Sequence, residues 1–186
     1  PSFPTRRSSD LVLAQPVLTL YRGSTVIATN KGWSTAVNAA AVGSAATSVG
    51  AFAFANGSAD SAILTTLGAG AYSATITSAT SATGAALVEI YEIGAGSPRL
   101  INLATRGPVS ATNTLIAGLV ITGNTPKQVL LRGVGPTLAG FGINGALADP
   151  QLQVFQGSTV VATNDNWGGD ATVAAAAVKA GAFALA

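Results

Sequence analysis

A long segment of this chain occurs twice. Residues 13–30 read LAQPVLTLYRGSTVIATN, and residues 147–164 read LADPQLQVFQGSTVVATN. The two segments align without a gap, and they are farther apart than the roughly 20–50 residues of a solenoid repeat. The repeated unit is therefore the size of a domain. We call the segment that begins at residue 13 the first copy and the one that begins at residue 147 the second copy.

The match continues beyond these two segments. Trp33 corresponds to Trp167, and GAFAFA at 50–55 corresponds to GAFALA at 181–186 after a small change in length. The correspondence thus extends through a turn and into an Ala-rich segment. It predicts the same local structure in both copies.

The chain divides into a tail, a unit and a partial unit. Residues 2–11, SFPTRRSSDL, resemble a translated sequencing adaptor, so we interpret residues 1–11 as an artefactual or disordered tail. We expect a β-sandwich repeat unit over 12–146 and the start of a second, truncated copy over 147–186. On this interpretation the sequence is a metagenomic fragment, and any signal peptide would lie upstream.

The composition excludes several classes of protein. Charged residues make up 9% of the chain, against roughly 25% in an average soluble domain, and the basic residues are scattered. This pattern argues against a nucleic-acid partner. The apolar run at 115–121 is far shorter than the ~20 residues of a membrane-spanning helix, so we expect no membrane span.

The chain also lacks the usual catalytic side chains. It contains no His and no Cys, so His-ligated metal centres, Ser-His-Asp triads and thiol nucleophiles are unavailable. No spacing of the remaining carboxylates and hydroxyls indicates an active site. We expect the protein not to be an enzyme.

Alternating apolar residues between turn signals predict many short strands and one hairpin in each copy. The predicted turns are Arg22-Gly23-Ser24 and Gln156-Gly157-Ser158. The predicted strands are 17–21, 25–29, 62–67, 71–78, 86–93, 100–105, 115–122, 128–134, 152–155 and 159–163. Ala-rich segments at 35–49 and 171–180 predict one short helix in each copy.

These elements predict an all-β fold, a jelly-roll or immunoglobulin-like β-sandwich with one short Ala-rich helix per repeat. The sandwich of the first unit would be permuted, because its strands would come from both 12–97 and 99–134. Without the second group of strands, the first would leave sheet edges unpaired.

Several segments resemble a known family. DPQLQVFQGSTVVATNDNW at 149–167, followed in the other copy by GAYSATIT at 70–77 and GAALVEIYEI at 84–93, is similar to pre-peptidase C-terminal-like domains. The resemblance implies a jelly-roll module that occurs in tandem in secreted bacterial proteins. It also implies an ancillary extracellular role beside a separate catalytic domain.

The loop of the second copy contains a candidate metal site. Asn164, Asp165, Asn166 and Asp170 lie around two glycines, and oxygen ligands of this kind suit Ca²⁺, which takes about six to eight of them. The alternative is a turn followed by a helix N-cap, in which Asp170 opposes the helix dipole. The first copy has Lys31 at the position of Asp165, which favours the alternative.

Trp33 and Trp167 each follow a hairpin and are candidate ligand residues. Exposed tryptophans can stack on sugars, whereas a tryptophan in this position more often covers the edge of a core. We expect no cofactor other than a candidate calcium ion.

The sequence predicts a non-catalytic β-sandwich repeat of an exported bacterial multidomain protein, with a structural or adhesive role. Its expected partners are neighbouring repeats of the same chain, and its expected location is extracellular or at the cell surface. The alternative is an ancillary module that binds carbohydrate or a surface protein and is attached to a secreted hydrolase.

Overall fold

The computed structural model describes residues 12–94, 99–110 and 113–185. The chain forms two compact units, an N-terminal unit that ends at Leu100 and a C-terminal unit that begins at Ile101. The predicted tail, residues 1–11, lies outside the described residues. The division differs from the predicted boundary at residue 146, and the permuted sandwich of the first unit stays a prediction.

The N-terminal unit contains a three-stranded antiparallel sheet. Its strands are β1 (Pro16–Arg22), β2 (Thr25–Asn30) and β3 (Ser73–Ser78), in the order β2-β1-β3. Pro16 stands at the first position of β1, where a missing amide is tolerated. Alternation along β3 places Ile76 and Ser78 on its half-buried side, so the predicted strand is confirmed with a slightly later start.

A tight turn joins β1 to β2. Gly23 has a φ of 60°, in the left-handed region that glycine adopts without steric cost. The register pairs Leu18 with Asn30 and shifts between Leu20 and Tyr21, which is a β-bulge. The turn and the bulge together define which side chains of β1 face the same side as those of β2.

The C-terminal unit contains the same hairpin. Its strands are β4 (Leu152–Gln156) and β5 (Thr159–Asn164), and their register shifts between Val154 and Phe155, the positions that match Leu20 and Tyr21. Gly157 has a φ of 61°, as Gly23 has 60°. The two predicted hairpins are confirmed, and both have a bulge at the same position, which the sequence did not predict.

Each hairpin is followed by a helix. In the N-terminal unit a 3₁₀ turn (Trp33–Thr35) precedes α1 (Ala39–Ser48), and in the C-terminal unit α2 spans Ala171–Lys179. Both helices are rich in alanine, the residue with the highest helix propensity. The two predicted helices are confirmed, although the first splits into a 3₁₀ turn and a shorter α-helix.

A close backbone approach precedes β4. A 3₁₀ segment (Pro136–Phe141) begins after Gly135, and a Cβ atom at Gly135 would collide with the carbonyl oxygen of Leu147. Only glycine fits at this point, because any side chain would push the 3₁₀ segment away from the chain that leads into β4.

Five predicted strands do not form. At 62–67 and in the described part of 86–134, no residue belongs to a named strand, so the strand predictions at 62–67, 86–93, 100–105, 115–122 and 128–134 are wrong for this structure. Large apolar side chains there stay in contact with solvent, such as Ile101 at 85% and Val120 at 73% exposure. Alternation supplies an apolar face, but a strand also needs a neighbour for its backbone groups, and these segments have none.

The buried core is small. Among the described residues, Val42 in α1 is the only large apolar side chain that is buried. The overall architecture is β-rich, with antiparallel sheets and two short α-helices. Within the ranges that the structure describes, no helix is long and apolar enough to cross a membrane.

We expect opposite effects from alanine at two glycines of the N-terminal unit. Gly23→Ala places a Cβ at a left-handed φ and should lower the free energy of unfolding by about 1–2 kcal/mol. Gly43→Ala, inside α1 and with open space around it, should raise it by about 1 kcal/mol. Chemical denaturation followed by circular dichroism measures both. Equal effects of the two variants would contradict the assigned turn.

Candidate functional site

The loop after β5 is organised by its own backbone and by one side-chain amide. The Asn164 amide nitrogen donates a hydrogen bond of 3.0 Å to the carbonyl oxygen of Asn166. Gly168 and Gly169 then adopt φ values of 63° and 71°, which turn the chain toward α2. These features are those of a turn built from Asn and Gly.

Asp170 ends this loop and caps α2. One carboxylate oxygen, Oδ1, accepts hydrogen bonds from the backbone amides of Thr172 at 2.7 Å and Val173 at 2.9 Å. The Val173 amide is the largest cause that lowers the pKa of Asp170 below its ordinary value, and the Thr172 amide is the next. The carboxylate satisfies amides that the first turn of a helix leaves without partners.

The geometry of the predicted calcium residues favours the turn-and-cap alternative. In the described part of the chain, no group of three or more His, Cys, Asp or Glu side chains lies close enough together to hold a metal ion. Asp165 and Asp170 are the acidic residues of the loop, and the oxygen of Asp170 that bonds the helix already has two donors. Calcium binding by Asn164, Asp165, Asn166 and Asp170 stays a prediction.

Trp33 is half-buried and held by its indole nitrogen. Nε1 donates to the carbonyl oxygen of Ala55 at 3.3 Å and to the hydroxyl of Ser58 at 3.2 Å. The ring lies 6.1 Å from that of Phe54 at a tilted angle of 56°. This packing is that of a tryptophan covering a core edge, and it leaves one part of the ring in contact with solvent.

Trp167 occupies the matching position in the C-terminal unit and is also half-buried. The two predicted ligand residues therefore lie in different units. Sugar stacking by Trp33 or Trp167 stays a prediction.

A cavity of about 230 Å³ lies beside Trp33 in the N-terminal unit. Its walls are mostly apolar and include Phe52 and Phe54, whose rings meet edge to face at 5.4 Å, and Val42 of α1. Glu89 and Tyr91 add polar groups to the lining, joined by a 3.1 Å hydrogen bond from the phenol to the carboxylate. Sequence reasoning missed this cavity, since its walls come from segments far apart in the chain.

Tyr91 keeps its proton in this setting. Desolvation raises the pKa of the phenol, and the hydrogen bond and negative charge of Glu89 raise it further. Glu92 is engaged elsewhere, since its Oε2 accepts from the backbone amide of Leu100 at 3.2 Å. The two carboxylates do not act as a pair.

A charged side chain lies over a ring in the C-terminal unit. The guanidinium carbon of Arg132 is 4.5 Å from the centroid of Phe183, which in turn meets Phe141 edge to face at 5.0 Å. The cation–π contact stabilises a partly desolvated guanidinium. Residues at 132, 141 and 183 were not anticipated, because no spacing in the sequence relates them.

Comparisons with known proteins place the chain in no family. Neither the protein-family models, the curated proteins nor the solved structures contain a match to it.

Asp170 should make the stability of α2 depend on pH. Because its folded pKa lies below the ordinary value, the cap contributes stability above the unfolded pKa, about pH 4, and loses it as pH falls through the folded pKa. We expect Asp170→Ala to lower helicity at neutral pH. Asp170→Asn should keep the cap and remove this acid-dependent loss.

Thermal melts followed by circular dichroism between about pH 6 and pH 2 test this expectation. Asp165→Asn is the matched control, because it makes the same change of charge in the same loop without touching the helix amides. An Asp165→Asn variant that loses the pH dependence as fully as Asp170→Asn would show that net charge, and not the cap, is responsible.

If the turn-and-cap alternative holds, we expect Ca²⁺ to leave the protein unchanged. Titration to about 1 mM, the range in which extracellular calcium modules bind, should not shift the melting temperature or the tryptophan emission. Mg²⁺ at equal concentration controls for ionic strength. A saturable rise in melting temperature that Asp165→Ala abolishes would instead establish the predicted calcium site.

Proposed function

We propose that this chain is a non-catalytic β-rich repeat module of an exported bacterial multidomain protein, in which it spaces or displays neighbouring domains. We further propose that the complete module is a jelly-roll or immunoglobulin-like β-sandwich and that its partners are neighbouring repeats. Its location is then extracellular or at the cell surface.

The observation that carries the proposal is what the two copies share. Both hairpins have the same register and the same bulge, and Gly23 and Gly157 have nearly equal φ values. Each hairpin leads through a turn to an Ala-rich helix. These shared features shape the backbone, as expected of a module retained for its fold.

Two of the candidate calcium positions differ between the copies. Lys31 stands at the position of Asp165, and Gly32 at that of Asn166, so an ammonium replaces a carboxylate. Calcium binding common to both copies would need the same donor atoms in each loop. The difference supports a structural role.

Composition supports the same proposal. The chain has no His and no Cys, and charged residues make up only 9% of it. General acid–base chemistry at neutral pH most often uses His, and the nearest candidate carboxylates, Glu89 and Glu92, bond to different groups. Surfaces rich in Ser, Thr, Ala and Gly with few charges are common in exported bacterial proteins.

One observation favours a second candidate, an ancillary module that binds carbohydrate or protein beside a secreted hydrolase. The cavity of about 230 Å³ beside Trp33 combines aromatic walls with the Glu89 carboxylate. Ligand sites typically combine apolar walls with a few polar groups in this way.

Retention on polysaccharides distinguishes the two proposals. If the module is structural, we expect the full chain to pass unretarded through gels containing soluble polysaccharides, and its tryptophan emission to stay constant when they are added. Physical adsorption to insoluble cellulose and chitin should match that of a protein of similar size.

Trp33→Phe and Trp167→Phe are the matched variants, since each keeps an aromatic ring and removes the indole. Retention of the parent chain that either variant loses, with the melting temperature unchanged, would assign the ancillary binding role instead. Hydrolysis of any polysaccharide or peptide substrate by the purified chain would contradict a non-catalytic module.

A further inference from the structure

We propose that the edge of β4 opposite β5 binds an extended strand with the sequence of β3, in the register that β3 adopts on β1. The occupant is a β3-type strand of this repeat, and the contact is antiparallel strand addition. This names a binding surface that the proposed structural role leaves unassigned.

The N-terminal unit shows how this edge is used. β1 pairs with β2 on one side and with β3 on the other, where Leu18 faces Ile76 and Thr19 faces Thr75. Just before β1, the Gln15 carbonyl accepts from the Ala79 amide at 2.9 Å. Hydrogen-bonded pairs alternate along antiparallel strands, so the amides of 17, 19 and 21 point toward β3.

Among the described residues, the C-terminal unit repeats β1 and β2 and contains no third strand. Within the described residues, β4 pairs with β5 alone, in a two-stranded sheet. The register of β4 on β5 matches that of β1 on β2, so the amides of 151, 153 and 155 point to the opposite edge. An edge with a row of backbone donors and acceptors is a template for another strand.

The side chains of β4 suit the same occupant. Leu152 and Val154 are half-buried at the positions of Leu18 and Leu20, which in β1 lie opposite Ile76 and Ala74. Phe155 is 54% exposed, whereas Tyr21 at the matching position of β1 is half-buried. A β3-type strand on β4 would therefore cover apolar side chains as well as backbone groups.

A second contact extends the argument. In the N-terminal unit a short segment before β3, residues 60–62, attaches to the hairpin. The side-chain Oδ1 of Asn30 accepts from the Ala62 amide at 3.1 Å. The Ser61 hydroxyl donates to the Pro16 carbonyl at 2.6 Å, and the Trp33 backbone amide donates to the Asp60 carbonyl at 2.7 Å.

The second copy keeps the hairpin side of each of these contacts. Asn164, Pro150 and Trp167 stand at the positions of Asn30, Pro16 and Trp33. A peptide that includes both residues 60–62 and β3 should therefore bind more tightly than β3 alone, and Asn164 should account for part of the difference.

Two synthetic peptides test the proposal with the full chain. The short peptide has the sequence of residues 70–79, and the long peptide has that of residues 57–79. We expect both to bind with one-to-one stoichiometry in fluorescence anisotropy, the long one more tightly. Hydrogen exchange should show new protection at the amides of 153 and 155 and none at the amides of β1.

Matched variants locate the contact. Thr75→Pro in the short peptide removes an amide that faces β1 in the N-terminal unit, and binding should weaken at least about tenfold. Asn164→Ala in the chain should remove the advantage of the long peptide and leave binding of the short one unchanged. Gln153→Pro should abolish binding, whereas Gln153→Thr, which installs the residue of β1, should preserve it.

Specific outcomes would overturn the proposal. Protection that appears in β1 would show that the peptide displaces β3 from the N-terminal unit. A dimer of the chain that Gln153→Pro dissociates, with no peptide binding, would show that two β4 edges pair with each other. If Gln153→Pro unfolds the C-terminal unit, equal binding of the Thr75→Pro and parent peptides still refutes the proposal.

Discussion

The structure depends on the backbone hydrogen bonding of one strand, β1. Its amides point alternately toward β2 and β3, so both edges of β1 are paired and β1 is the central strand of the sheet. Residues 60–62 attach beside it through Asn30, Ser61 and Pro16. In the C-terminal unit the matching strand, β4, is paired on one edge only, within the residues that the structure describes. Within the described residues, the hairpin thus belongs to a three-stranded sheet in one unit and to a two-stranded sheet in the other.

Local chemistry explains why the hairpins and helices agree so closely with the sequence. A glycine in the left-handed region turns each hairpin, and a bulge follows at the same position in both. Alanine-rich runs form α1 and α2, and Asp170 supplies the cap that α2 needs. These features involve residues close together in the chain, so a pattern of neighbours suffices to predict them. Asn38, at the corresponding end of α1, makes no such cap.

The candidate site was predictable only in part. The sequence placed Asn164 and Asp170 in a turn before a helix, and their hydrogen bonds agree with that alternative. It also placed Trp33 after a hairpin. The contacts of Trp33 with Phe54, Ala55 and Ser58, however, depend on how the chain after α1 folds back against the hairpin. The cavity beside it, and the stacking of Arg132 on Phe183, join residues with no common spacing, and therefore only the folded chain reveals them.

The sequence by itself determined the repeat, the two hairpins, the short helices and the absence of His and Cys. The repeat and the absences can be read directly from the residues, the hairpins follow from the conformational freedom of glycine, and the helices follow from the helix propensity of alanine. The tertiary structure decided which strands pair. The segment at 86–93 has a strand-like pattern and the one at 115–122 is a short apolar run, yet neither belongs to a strand. Alternation specifies only which side chains share a face, whereas a strand exists when another backbone lies alongside to accept and donate its hydrogen bonds.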